Sequence, residues 1–457
     1  MSNILVFDLG TSYFKICLFD EYGQIVGLQR VPTPVQQTAE MRAELPTTSF
    51  IQCLTDATKR LSLEVGGLSD VAAVSFATQA NSFVLLDKFD DALTSIILWN
   101  DQRALGLSSP LDELQATSEF KETTGLPGLT HEFLPAKTSW FQQHQPQVME
   151  KTARVALISD YLTLWLTGNH VTEAGTAGLS GLVDIHRLHW WTEACDRIKL
   201  PVDWLPTIVR AGTDAGSLRQ AVAAELGLPL GCKLIIGCLD QYAGAIGAGN
   251  TEPGSISETT GTVLATVRCS NQFEKNAPPS VFQGPTFSQD QYYQMVFGEV
   301  SAQLLEKYRN SLPDLPSFAE LDKLADSVPA GAGGVHLHPD AASKSASEMF
   351  LDRQSHHTRG HDVRAIYEAV ASELQQQIEL LCKDEKPTVI YSVGGAARSD
   401  LWLRIKSETL GCPVRVMDCS EPTSLGAAIL AQSGLAGVSP QELEQQWRPR
   451  QQTPRQL

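Results

Sequence analysis

The first turn of the chain, Asp8-Leu9-Gly10-Thr11-Ser12, holds the residue types that a phosphate group needs. Glycine lets the backbone come close to a ligand with its N–H groups turned inward. The hydroxyls of Thr11 and Ser12 add donors, and Lys15 on the following strand adds positive charge. Asp8 is suited to Mg2+, held through water. The setting is strand–turn–strand, which excludes a P-loop and a dinucleotide fingerprint, since both need a helix after the loop. The same residues also make an ordinary hairpin turn, because Asp, Gly, Thr and Ser are common turn formers.

Three further segments carry chemistry, each beside a plainer reading. Asp240 follows an apolar strand, Lys233 to Cys238, at a sheet edge where ligands collect in α/β folds. It could accept the proton of an attacking hydroxyl, or simply cap the next helix. Gly394-Gly395-Ala396-Ala397-Arg398-Ser399 lies between a strand and a helix. Exposed N–H groups at a positive helix end suit a nucleotide phosphate, but a tight connection looks the same. Trp99-Asn100-Asp101-Gln102-Arg103, with Gln79-Ala80-Asn81 before it, offers the amides, carboxylate and guanidinium that polyol recognition uses. A surface loop with a buried Trp fits as well. His356, His357 and His361 sit near a long loop and read as solvated.

The elements that position these residues follow from apolar patterning. Residues 3–31 read as three successive strands. A helix is expected over 47–65, strands over 71–76 and 82–86, and a mostly helical stretch over 112–170, in which Val155 to Leu166 is apolar on a helical period and stops at Gly168. A small-residue helix covers 241–248, and Thr251 to Gly254 is a turn cluster that marks a domain boundary. After it, Ser255 to Val267 is again strand–turn–strand, with Gly261-Thr262 where Gly10-Thr11 stands in the first half. This echo points to a duplicated architecture. Residues 328–358 read as a long loop, 363–381 as a helix, 389–393 as a strand opening at Gly394-Gly395 into a helix, and 424–432 as the last helix.

The 457 residues exceed one ordinary core and suit two domains, 1–250 and 251–457. A net charge of −17 disfavours nucleic acid, because an acidic surface repels a phosphate backbone. The cysteine count of nine is odd and contains no CxxC pair, which argues for reduced thiols in a cytoplasmic protein and against a zinc site. MSNILVFDLG enters a strand directly, without the basic region of a signal peptide. No apolar run approaches a membrane span.

Taken in order, these segments resemble the FGGY carbohydrate kinases from residue 3 to residue 434. The series runs from the Asp-x-Gly-Thr-Ser turn through Trp99, Asp101 and Arg103 to Asp160-Tyr161-Leu162, Leu166-Thr167-Gly168 and Thr172-Glu173. It continues with Asp240 and Gly247-Ala248-Gly249, Thr260-Gly261-Thr262, Gly394-Gly395, and Glu421 through Gly426-Ala427-Ala428. The resemblance implies an α/β fold of two actin/hexokinase-like (ribonuclease H-like) domains with an interdomain cleft. It implies ATP-dependent phosphorylation of a hydroxyl of a small sugar or polyol, and a homodimer is compatible with it. Asp240 would be the catalytic base, and Asp8 and Asp240 would place Mg2+. ATP would meet Gly10, Thr11, Ser12, Lys15, Gly261, Thr262, Gly394, Gly395, Ala396 and Ser399. The sugar would meet Asp8, Gln79, Asn81, Trp99, Asp101, Arg103 and Gln241.

The Trp-Asn-Asp-Gln-Arg wording is most similar to xylulose kinases, which makes a ketopentose such as xylulose the expected substrate. Those enzymes typically have Gln-Met-His-Gly where this chain has Gln79-Ala80-Asn81-Ser82, and Lys15 stands where Arg is commoner. Their Gly-Glu-Arg loop is poorly matched by Asp340 to Leu351. These departures leave two alternatives: a kinase of glycerol, ribulose or a heptulose, and a catalytically weak sugar sensor on the same fold.

Overall fold

The computed structural model describes residues 3–37, 41–107, 110–261, 263–383, 385–417 and 419–447. The chain divides into two compact units. Among the described residues the first comprises those of 1–247, 271–293 and 421–447, and the second those of 248–270 and 294–420.

Unit 1 is built on strands β1 (Asn3–Leu9), β2 (Tyr13–Phe19), β3 (Ile25–Pro32), β4 (Val71–Thr78), β5 (Asp214–Ser217), β6 (Lys233–Ile235) and β7 (Cys238–Leu239). Their sheet runs β5–β6–β4–β1–β2–β3, with β7 also paired to β4. β1 lies antiparallel to β2 and parallel to β4. Its apolar residues are buried on both faces, as expected of a central parallel strand. The helix Thr47–Val65 buries Phe50, Leu54, Ala57 and Leu61 as one stripe, and Gly66 ends it in the left-handed conformation.

A second sheet in unit 1 joins 36–37, 43–45, 96–97, 83–86 and 154–157 in that order. The last of these departs from the sequence reading. Arg154–Leu157 is a strand paired with Phe83–Leu86, and only Ile158–Thr167 is helical. A short apolar run fits either structure, and here pairing decided. Asp160 fixes the switch, since its Oδ2 accepts the Leu157 N–H at 2.9 Å.

Unit 2 repeats the first topology. Its strands β8 (Ile256–Thr260), β9 (Leu264–Ser270), β10 (Tyr292–Gly298), β11 (Ile390–Val393) and β12 (Val414–Val416) run β10–β9–β8–β11–β12. As in unit 1, the first strand is antiparallel to the second and parallel to the fourth. Asp8 and Thr259 each sit one residue before the end of that first strand, and Gly10 and Gly261 each follow it. The echo in the sequence is therefore a structural duplication. Within 328–358 the loop contains a small hairpin of 336–337 with 350–351.

The division also differs from the simple cut at residue 250. The helix Pro422–Ala436 belongs to unit 1 because glycines let it press on the helix Asp240–Gly247. A Cβ on Gly426 would lie 1.9 Å from the Ala243 carbonyl oxygen, and one on Gly247 would lie 1.8 Å from that of Pro422. No helix among the described residues is long and apolar enough to cross a membrane.

Candidate functional site

Asp8 and Lys15 face each other across the β1–β2 hairpin. Lys15 Nζ lies 3.1 Å from Asp8 Oδ2 and 2.7 Å from Oε2 of Glu421, the residue before the Pro422 helix. Burial raises the Asp8 carboxyl, against the pull of Lys15 and with a small push from Glu421. For Lys15, burial acts downward, but the two carboxylates outweigh it and hold the ammonium charged.

Asp240 reaches this neighbourhood through a bulge. Leu234 pairs with Val74 and Cys238 with Ala77, so β6–β7 advances four residues where β4 advances three. Gly237 permits it, since a Cβ there would lie 1.6 Å from the Phe76 carbonyl oxygen. Bulges re-aim the residues that follow them. Asp240 opens the helix Asp240–Gly247, and its Oδ1 accepts the Gln241 N–H at 2.7 Å. Its other oxygen takes no hydrogen bond from the described residues. Burial first, then the Asp8 carboxylate, pushes Asp240 up to about 7. A carboxyl with a pKa near 7 can exchange a proton at neutral pH.

Beside the first turn, Thr11 Oγ1 accepts the Trp99 indole N–H at 2.9 Å and lies 3.5 Å from Gln79 Oε1. Ser82 Oγ donates to Gln79 Oε1 at 3.2 Å and accepts the Trp99 backbone N–H at 2.9 Å. Gln79 Nε2 is buried without a partner among the described residues. A buried amide that lacks an acceptor is costly unless a ligand or water supplies one.

Other members of this group are occupied. Asn81 adopts a left-handed backbone (φ 58°), accepts the Leu134 N–H at 3.2 Å and donates to the Leu179 carbonyl at 3.0 Å. Asp101 is fully buried, accepts the Ala43 N–H at 2.7 Å and pairs with Arg103 through both oxygens. Arg103 also meets Glu44 at 2.6 Å. These three residues brace the loops behind Trp99. Lys137, buried nearby, donates to the Leu98 and Trp99 carbonyls at 2.8 and 2.6 Å.

In unit 2 the glycine pair opens a 3₁₀ turn, Gly395–Arg398, rather than the helix itself. The helix starts at Asp400, and Ser399 caps it by accepting the Trp402 N–H at 3.1 Å. Ser399 is thus committed to its helix, while Gly394, Gly395 and Ala396 remain on the turn. Gly394 needs its freedom, with φ of 93°. Gly261 and Gly395 do not. Among the described residues they are the two glycines with ordinary φ and no protein atom within 4 Å of an added Cβ. No contact among the described residues requires glycine at either position, and both turns leave open space where a side chain would stand. Thr262 lies outside the described residues.

The FGGY family of carbohydrate kinases matches by both of its models: the N-terminal domain over residues 3–247 and the C-terminal domain over 284–435. This chain belongs to the FGGY family of carbohydrate kinases. FGGY relatives with a curated function include the xylulose kinase of Bacillus subtilis, 27% identical over 95% of this chain and 88% of that protein. The L-fuculokinase of Salmonella typhi is 28% identical over 96% of this chain and 94% of its own. The ligand-bound xylulose kinase of Lactobacillus acidophilus superposes with a TM-score of 0.88 at 22% identity, covering 97% and 92% of the two chains, a likeness of fold. The end of the N-terminal FGGY domain coincides with the end of unit 1's first segment, Gly247.

Two features of this FGGY chain escaped sequence reasoning. Glu421 was visible as part of a motif, but its ion pair with Lys15 needs a helix more than 400 residues away in sequence. Glu258 and Lys406, fully buried and 2.6 Å apart, gave no local signal, because either residue alone reads as surface charge.

Proposed function

We propose that the protein transfers the γ-phosphoryl group of ATP to a hydroxyl of a small ketose, a ketopentose such as xylulose, with Asp240 as general base. The observation that carries this is Asp240 itself, a carboxylate raised to about 7 with one oxygen free of donors among the described residues. The acceptor hydroxyl gives its proton to that oxygen as its own oxygen attacks phosphorus in line with the departing ADP. Thr11, Ser12 and Lys15 offer donors for the phosphoryl group. The N–H groups at the Gly261 and Gly394–Gly395 turns offer donors for the nucleotide's phosphates. Gln79 Nε2, buried and unpartnered, donates to a sugar hydroxyl, and Trp99 packs beside the sugar.

Asp8 and Asp240 fit Mg2+ by donor type. No group of three or more His, Cys, Asp or Glu among the described residues is arranged to hold a metal alone. Two carboxylates completed by phosphate oxygens are a common way to hold Mg2+. The bound ion supplies charge neutralisation at the phosphates. Asp8 would hold it, and Lys15 then keeps Glu421 as its partner.

The relatives' names include xylulose kinase, L-fuculokinase and gluconokinase, so the sugar is tested as a panel. ADP release is measured with Mg·ATP and xylulose, ribulose, fuculose, gluconate, glycerol or sedoheptulose, against a blank without sugar. A ketose-dependent rate well above the blank supports the proposal. Blank-level rates with every compound would reject it in favour of a sugar-binding protein on the kinase fold.

A further inference from the structure

The second unit buries a complete ion pair that the mechanism above does not use. Glu258 on β8 and Lys406 on the helix Asp400–Leu410 have no exposed side-chain surface. Lys406 Nζ donates to Glu258 Oε1 at 2.6 Å and to Thr260 Oγ1 at 2.8 Å. Thr260 Oγ1 in turn donates to Glu258 Oε2 at 2.6 Å. Ser392 Oγ, in register with Glu258 on the neighbouring strand β11, donates to Glu258 Oε1. The ammonium also sits 5.5 Å from the centre of the Trp402 ring. Both carboxylate oxygens and the ammonium are therefore satisfied by three different elements.

Stability alone is a poor reason for such a pair. The desolvation of two buried charges offsets most of their attraction, and a well-packed apolar pair would serve as well. Its position supplies a better reason. Thr260 is followed by Gly261, and Ser392 lies two residues before Gly394. The turns touch, since a Cβ on Gly394 would lie 3.1 Å from the Thr260 carbonyl oxygen. The network thus clamps the ends of β8 and β11 at the points where each enters its glycine turn. Lys406 also cancels the Glu258 charge, which would otherwise oppose an anion over those turns.

We propose that Glu258, Lys406, Thr260 and Ser392 are positioning residues for the nucleotide, holding the Gly261 and Gly394–Gly395 turns in one register so that their N–H groups meet the phosphates together. This rests on the kinase reading, with these turns as the nucleotide side. It gives the second unit a specific device for ATP affinity that leaves the sugar untouched.

The test compares the wild type with Lys406→Met, Ser392→Ala and the paired Glu258→Gln/Lys406→Met, which leaves no buried charge if the single variant fails to fold. Mg·ATP affinity is measured by calorimetry without sugar, and KM for ATP and for sugar separately. If the turns lose their shared register, phosphate contacts weaken by about the worth of one charge-assisted hydrogen bond, so ATP affinity should fall about tenfold in Lys406→Met and in the paired variant, and less in Ser392→Ala. The sugar KM should stay within about twofold, since a bond lost in unit 2 changes none of the sugar's contacts. Folded variants that bind ATP like the wild type would overturn the inference, as would equal losses for ATP and sugar, which mean general loosening. A wild type that takes up sugar but no ATP would instead sink the kinase reading and this inference with it.

Discussion

Asp240→Asn replaces a carboxylate by a neutral amide of the same shape whose oxygen can still accept the Gln241 N–H. In the wild type, burial and the Asp8 carboxylate raise Asp240 from 3.8 to about 7. At about 1.4 kcal/mol for each tenfold change in proton affinity, the ionised residue costs the folded state about 4 kcal/mol. The folded pKa lies above the unfolded one, so the native state holds the proton more tightly. The cost is full above pH 7, shrinks as the pH falls from 7 toward 4, and is gone below that. Asp240→Asn should therefore be more stable than the wild type by about 4 kcal/mol at pH 8 and by under about 2 kcal/mol at pH 5. Urea unfolding at both pH values measures this as a midpoint shift at constant slope. The same variant should lose about 10²- to 10⁴-fold in turnover, the usual worth of a general base. In the wild type, kcat/KM should fall about tenfold per pH unit below 7 as Asp240 takes up its proton. Equal stability of the two proteins at pH 8 would refute the strain assigned to Asp240. Near-normal turnover of the variant would remove it from the chemistry.

Gly261→Ala and Gly395→Ala meet no protein atom, so the unfolding midpoint should not move, while calorimetry should show Mg·ATP binding weakened by about tenfold or more. Arg103→Ala strands the fully buried Asp101, and urea unfolding should record a loss of about 3–5 kcal/mol. Gly426→Ala drives a methyl group into the Ala243 carbonyl, and a loss of about 1–3 kcal/mol or a drop in folded yield should follow, measured by thermal unfolding.

Much of the frame was legible in the sequence, for identifiable reasons. The opening meander, the 47–65 helix and the strand–turn–strand echo at 255–267 all carry local signals, in apolar runs cut by Gly, Asp and Ser turns. The structure confirms the echo because strand order depends on the same apolar runs. The switch at Leu157 was not legible, since the partner strand Phe83–Leu86 is distant and the apolar run is continuous. Nor was the placement of 421–447, which follows from glycine contacts between helices far apart in sequence.

Residue types near the site were foreseen better than their jobs. Asp101 and Arg103 looked like sugar ligands because polyol sites use such groups, yet they satisfy one another and the Ala43 N–H. Asn81 owes its place to a left-handed backbone and two loop contacts. Hydrogen-bond partners are a property of the folded surroundings, which single positions do not reveal. For Asp240 the place was legible, at the end of a buried strand, and burial there raises its carboxyl; its role as base is what the proposal assigns.

Phosphoryl transfer to a sugar is read most directly from the product itself. Xylulose, the other panel sugars and Mg·ATP are incubated with the wild type and with Asp240→Asn, and ADP and sugar phosphate are quantified together by phosphorus NMR. A ketose kinase with Asp240 as its base yields one sugar monophosphate per ADP from the wild type with at least one ketose, and almost none of either from the variant. ADP and inorganic phosphate without any sugar phosphate, or equal product from both proteins, would contradict it.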